Sequence, residues 1–265
     1  MSEHDPSAGQ THDAVAGQGG DGQGAARRGL APLRDDAWYY RPYLGWAETM
    51  FRYHRTETTG TPYPGQCIYV ALHGAGYLVV DLVLAGYWAA WRDFTLGRGA
   101  RRPMRIVAAQ SQIERYLPGL PVMKAISGLI DPSEASCLEA LRAGESLLLT
   151  PGGSREAQPS RDFYRLRWDG RYGFVRLALT AGVPIVPLAV MGGAEAFPGF
   201  RWKKLSFWLP LPLPVKLRMA VGEPIPVERQ PERARDLEVV KPIHQLAWVR
   251  TQALLDGLRA RQRGE

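Results

Sequence analysis

The chain has 265 residues, 45% of them hydrophobic, which suits one α/β domain of ordinary size or two small ones and supplies a real core. Its net charge of +7 is uneven, with −2 on residues 1–30, +9 on the remainder, and ten Lys/Arg against three acidic residues between Arg161 and Arg218. Cys67 and Cys137 stand far apart without a CxxC or Cys/His cluster, which excludes a disulfide framework and a zinc site and reads as two reduced, partly buried thiols. The basic surface suits an anionic partner, whether a lipid headgroup layer, a phosphorylated cofactor or nucleic acid, and the alternative is a merely soluble face.

Residues 1–30, rich in Gly, Gln, Ala, Asp and Ser, bury too little to offset ordering entropy and are expected to be disordered. The acidic, polar start has no apolar core, so a secretory signal is not expected and an intracellular protein is. An aromatic segment follows within residues 31–66. Pro42 suits a first helical turn, and Tyr43, Trp46, Ala47, Met50 and His54 keep helical spacing. With Arg41, Arg52 and Arg55 beside its Trp and Tyr, this helix fits a membrane interface or packing onto the domain.

Residues 67–72 read as a buried strand and Leu78 to Phe94 as a helix. That strand-turn-helix reading absorbs His73 and Asp81, which a membrane span would not tolerate cheaply, so no transmembrane helix is expected. After a basic loop at 97–102, Arg105 to Ala109 reads as a strand, with a short helix at 122–127. Asp131-Pro132-Ser133-Glu134 predicts a helix capped by Asp131 and ending at Gly144, and 145–150 a strand. Gly173 to Ala181 reads as a helix closed by Gly182, and 183–190 as a buried strand. Proline-rich 205–215 fits only an edge or a loop, 216–221 another strand. A last helix is predicted from Pro242, with Ile243, Leu246, Val249, Ala253 and Leu254 on its inner face. Strands alternating with helices predict α/β, a single domain with a central, largely parallel sheet flanked by helices.

Two loops could carry chemistry. Leu72-His73-Gly74-Ala75-Gly76 follows a strand, where ligands gather in parallel sheets, and a turn there would let Asp81 orient the imidazole of His73 as a general base. The alternative is a structural histidine. Pro151-Gly152-Gly153-Ser154-Arg155-Glu156 offers unshielded backbone amides for an oxyanion or phosphate with Arg155 beside them, or else is an ordinary glycine turn. G-x-S-x-G, G-x-x-x-x-G-K-[ST] and H-E-x-x-H are missing, as are helix-turn-helix and RNP-like signatures, so an α/β-hydrolase, P-loop NTPase, zincin or nucleic-acid partner is not expected.

His73…Asp81, Pro151-Gly152-Gly153-Ser154-Arg155-Glu156, Arg171-Tyr172-Gly173-Phe174-Val175-Arg176, Val183 to Pro187, Gly192…Glu195 and Gly222-Glu223-Pro224-Ile225 together resemble the glycerolipid acyltransferase superfamily. They are most similar to its diacylglycerol acyltransferase type 2 and monoacylglycerol acyltransferase branch. The resemblance implies an acyltransferase domain at 67–265 and transfer of a fatty acyl group from acyl-CoA or another thioester to a lipid hydroxyl. Acyl-CoA is then co-substrate, with no cofactor and no metal. His73 would take the acceptor proton and Asp81 orient it, with Gly152, Gly153 and Ser154 beside the acyl carbonyl. Arg155 and Glu156 would position donor or acceptor, and Arg171 and Arg176 would contact phosphate.

The resemblance further implies peripheral attachment to an anionic membrane on its cytoplasmic face. Seven residues separate His73 from Asp81 where the superfamily commonly has four, and 128–133 lacks the arginine of phosphate-acceptor members, which favours a neutral glycerolipid or alcohol. The alternatives are a lysophospholipid or glycerol-phosphate acceptor, a non-catalytic lipid-binding protein on the same fold, and a thioester hydrolase.

Overall fold

Apolar runs buried on both faces build the centre of the molecule as a parallel sheet. The computed structural model describes residues 40–73, 78–97, 104–108, 128–156, 163–202, 205–208 and 212–264. The tail at 1–30, most of the basic loop at 97–102 and the short helix at 122–127 lie outside them. All described residues fall in one compact unit.

The strands are β1 (Glu57–Thr59), β2 (Ile68–Ala71), β3 (Met104–Val107), β4 (Leu129–Ile130), β5 (Ser146–Leu149), β6 (Ile185–Met191), β7 (Gly199–Trp202), β8 (Leu205–Trp208) and β9 (Arg218–Val221). Seven form a sheet in the order β1-β9-β6-β2-β5-β3-β4. From β6 through β4 every pairing is parallel, β9 runs antiparallel to β6, and β1 pairs parallel with β9. β7 and β8 make a separate antiparallel hairpin, so the proline-rich stretch does start as a strand that stays out of the main sheet.

The helices are α1 (Tyr40–Tyr53), α2 (Leu78–Leu96), α3 (Glu134–Arg142), α4 (Gly173–Ala181), α5 (Gly193–Ala196) and α6 (Leu237–Arg263). Alternation along β2 sorts the sheet's faces. Cys67, Tyr69 and Ala71 meet Leu84, Tyr87, Trp88 and Trp91 of α2, with Leu148, Val186, Leu188 and Met219 in the same cluster. Met50 and Phe51 of α1 pack against that cluster, Ala47 is buried and the Trp46 ring lies 5.5 Å from Tyr87, so one side of the aromatic segment packs onto the domain. α6 packs on β6 and β9. Gly222 permits this approach, since a Cβ there would stand 3.1 Å from Leu254 of α6 and 3.3 Å from Pro187 of β6. Cys67 and Cys137 are buried free thiols, and burial pushes the Cys67 thiol up to about 12 and that of Cys137 to about 11.

Three local expectations change. α3 is capped by Ser133, whose Oγ accepts from the Ser136 N–H, while Asp131 accepts the Ser133 N–H in the turn before it. α6 begins at Leu237, capped by Asp236, and runs through Pro242, whose missing N–H deprives one carbonyl at an exposed first turn and a half. Its buried face is Val240, His244, Ala247, Thr251, Leu255 and Leu258, while Leu246 and Val249 are 40% and 46% exposed. Small residues let the helix sit close to the sheet, and the polar ones are satisfied, His244 Nε2 donating to the Trp168 carbonyl and Thr251 Oγ1 to that of Ala247.

Two buried polar features generate predictions. Arg105 of β3 and Glu145 before β5 form a two-pronged ion pair at 2.6 and 2.9 Å with both residues buried. Glu145→Ala takes both of these bonds from a buried cation and is expected to cost about 3–5 kcal/mol, read from urea unfolding midpoints. His54, fully buried, donates from Nδ1 to the Val215 carbonyl at 2.9 Å while its Nε2 has no partner, and desolvation depresses its pKa below 6.5. Desolvation likewise depresses His244. A depressed folded pKa means stability present above 6.5 and lost as pH falls through the lowered values. The melting temperature is therefore expected to drop on acidification from about pH 7.5 to about pH 5.5, and less steeply in His54→Gln and His244→Gln variants.

Candidate active site

The carboxyl ends of β2, β5 and β6 converge, and each delivers one part of the site. β2 runs out into Leu72 and His73. An apolar cavity of about 80 Å³ opens there, bounded by His73, Thr150, Trp88, Leu188, Phe163 and Tyr164 among others. His73 is half-buried at its rim. Gly74 to Tyr77 lie outside the described residues, as does the side chain of Asp81, whose backbone is in the first turn of α2.

β5 exits through Thr150 into a turn, and its two glycines serve different ends. Gly153 has φ +55°, a left-handed conformation with open space around it. Gly152 has an ordinary φ of −67°, but a Cβ there would overlap the carboxylate of Glu156. The turn is closed by its own amides, Gly153 N–H donating to the Thr150 carbonyl and Glu156 N–H to that of Gly153, both at 3.0 Å. Those two amides are therefore spent within the loop.

Glu156 is 4% exposed, and its carboxylate faces the chain. Oε2 accepts the backbone N–H of His73 at 3.0 Å and Oε1 that of Arg167 at 2.6 Å. Burial pushes its pKa up, opposed by these two hydrogen bonds and by the charges of His73 and Arg167. The Arg155 side chain is exposed, Ser154 lies on the turn, and Arg171 and Arg176, before and within α4, do not line the cavity.

Residues 163–168 form a strap over the cavity that the sequence did not single out. Tyr164 donates its hydroxyl to Glu195 and accepts the Gly192 N–H at 3.0 Å, which gives the Gly192…Glu195 motif a job at the end of β6. Gln252 of α6 holds the strap from the other side, accepting the Leu166 N–H at 3.0 Å and donating to the Tyr164 carbonyl at 3.2 Å. Burial and the Glu195 carboxylate raise the Tyr164 pKa, keeping it a neutral donor. Among the described residues no group of His, Cys, Asp and Glu could hold a metal ion, and no helix is long and apolar enough to cross a membrane.

Fold and site together define an α/β protein with a histidine at the mouth of an apolar cavity. Its sequence is 34% identical over 140 residues to a human protein named "DGAT1/2-independent enzyme synthesizing storage lipids", covering 49% of this chain and 43% of that one. It is 31% identical over 206 residues to an uncharacterised protein of Mycobacterium leprae, covering 70% and 54%, and 31% identical over 198 residues to one of Mycobacterium tuberculosis, covering 67% and 53%. The chain thus spans about half the length of these relatives, or less. No family model matches. A solved 1-acyl-sn-glycerophosphate acyltransferase from Thermotoga maritima is similar at a TM-score of 0.48 and 18% identity, covering 78% of this chain and 80% of that one, too weak a likeness to bear on the site. In sequence the chain is thus similar to a protein named for storage-lipid synthesis, in keeping with the resemblance of its motifs to the glycerolipid acyltransferase superfamily.

The strap makes a specific stability prediction. Tyr164→Phe keeps the cavity wall but strips partners from Gly192 and Glu195, and is expected to cost about 1–3 kcal/mol in chemical denaturation. Glu195→Gln, which can still accept from the tyrosine, should cost less.

Proposed function

We propose that the protein is a lipid O-acyltransferase that moves a fatty acyl group from acyl-CoA to the hydroxyl of a neutral glycerolipid or alcohol at a membrane surface. The observation that carries this reading is the apolar cavity with His73 at its rim, at the carboxyl edge of a parallel sheet. An acyl chain lies in that cavity and brings its thioester carbonyl to the histidine. His73 accepts the acceptor's hydroxyl proton as its oxygen attacks the carbonyl carbon, with Asp81 as the orienting carboxylate. The tetrahedral oxyanion then expels the CoA thiolate, which takes the proton back from His73, leaving an ester and a free thiol.

The exposed arginines 155, 165, 167 and 171 suit the polyanionic end of the donor. Along α1 and just after it, Trp46 and Tyr53 stay partly exposed and Arg52 and Arg55 are exposed, and the Tyr53 hydroxyl donates at 2.9 Å to the carbonyl of Pro212, the neighbour of exposed Leu213. Aromatic and apolar side chains among arginines suit an anionic bilayer, and a CoA donor made inside the cell suits its cytoplasmic face.

The test is thioester consumption with labelled acyl-CoA and a panel of acceptors on anionic vesicles. Ester formation is expected, and His73→Ala should lower kcat by about 10²–10⁴-fold while vesicle binding persists. Free acid as sole product would make the protein a hydrolase. Vesicle binding without thioester consumption would make it a lipid-binding protein, and preference for a lysophospholipid would overturn the neutral acceptor.

A further inference from the structure

Glu156 belongs to the motif that the family resemblance assigns to substrate, yet neither of its carboxylate oxygens is turned outward. One takes the backbone N–H of His73 and the other that of Arg167, and the residue is 4% exposed. Gly152 is the counterpart of this arrangement. Its φ is ordinary, so glycine is required there for space, and the space is what the Glu156 carboxylate fills.

We infer that Glu156 is a positioning residue for His73: its buried carboxylate clamps the backbone of the histidine to the strap that walls the cavity, and Gly152 is the clearance that lets it do so. His73 stands two residues beyond the last residue of β2, where the sheet's own ladder no longer holds it. A hydrogen bond to its N–H replaces the ladder, fixing where Cβ projects and hence where the ring enters the cavity. The same carboxylate holds Arg167, in the strap whose Phe163 and Tyr164 line the cavity, so the histidine and that strap are held by one group. The two bonds and the neighbouring charges counter the upward push that burial gives the carboxyl.

The inference takes its kinetic meaning from the acyltransferase reading but has a test of its own. Glu156→Gln keeps the volume and offers one acceptor oxygen, with an NH2 facing the second donor. Hydrogen exchange read by mass spectrometry is expected to speed up at whichever of the His73 and Arg167 amides faces the NH2 while the melting transition stays cooperative; unchanged exchange at both would overturn the clamp. In acyl transfer, kcat is expected to fall by about 10²-fold with KM for acyl-CoA within about twofold. A rise in KM at constant kcat would instead make Glu156 a substrate ligand, and unchanged kinetics would remove it from the site. Gly152→Ala approaches the same contact from the other side, and its loss should not add to that of Glu156→Gln; additive losses would separate the two residues. A wild-type protein inactive toward every acceptor would sink the acyltransferase reading, whereas the clamp stands or falls on the exchange data.

Discussion

The Glu156 carboxylate is the interaction on which the arrangement of the site depends. A carboxylate out of water is costly unless its lone pairs are met, and here the two N–H groups that meet them come from the end of β2 and from the strap. Their separation along the chain is what makes the contact valuable. Residues 73 and 156 have no reason to be neighbours until the sheet brings β2 and β5 side by side. Once it has, the glycine-rich turn and the histidine are one structure rather than two adjacent motifs.

The sheet supplies the rest. Parallel pairing from β6 to β4 sends β2, β5 and β6 out along the same edge, which is why a histidine, a glycine turn and a short helix meet there. The reversed β9 and the attached β1 extend the sheet away from that edge, and the end of α1 is stitched to them: His54 bonds Val215, the Leu217 N–H donates to the His54 carbonyl, and Glu57 pairs with Lys216. The aromatic segment before β1 is thereby held on the side of the sheet that carries the cavity, against α2.

Much of this was legible in the sequence where one signal sufficed. Continuous apolar runs marked β2, β5 and β6, and Gly182, with φ +72°, closes α4 at the residue expected. Reading failed where an element is decided by what it packs against. α6 carries apolar residues on both sides, and only the sheet, by accepting the Ala247 and Thr251 side, shows which faces inward. β1 and β4, three and two residues long, are too short for any periodicity. His73 and the glycine loop were found because their residue types are unusual in those places. Tyr164 was not, because an aromatic residue in a charged stretch gives no sign that Gly192, Glu195 and Gln252 will converge on it.

The ties of the strap also order events in time. Two of its backbone groups are held by Gln252, and a third, the Trp168 carbonyl, by His244, both on α6, which follows every strand of the sheet. A ribosome-bound chain that has emerged only through β9 already contains every strand of the sheet, His73 and the glycine turn, but lacks these anchors. During synthesis the part of the wall formed by Phe163 and Tyr164 thus waits for α6, so the cavity acquires its finished shape only after the strands of the sheet are made.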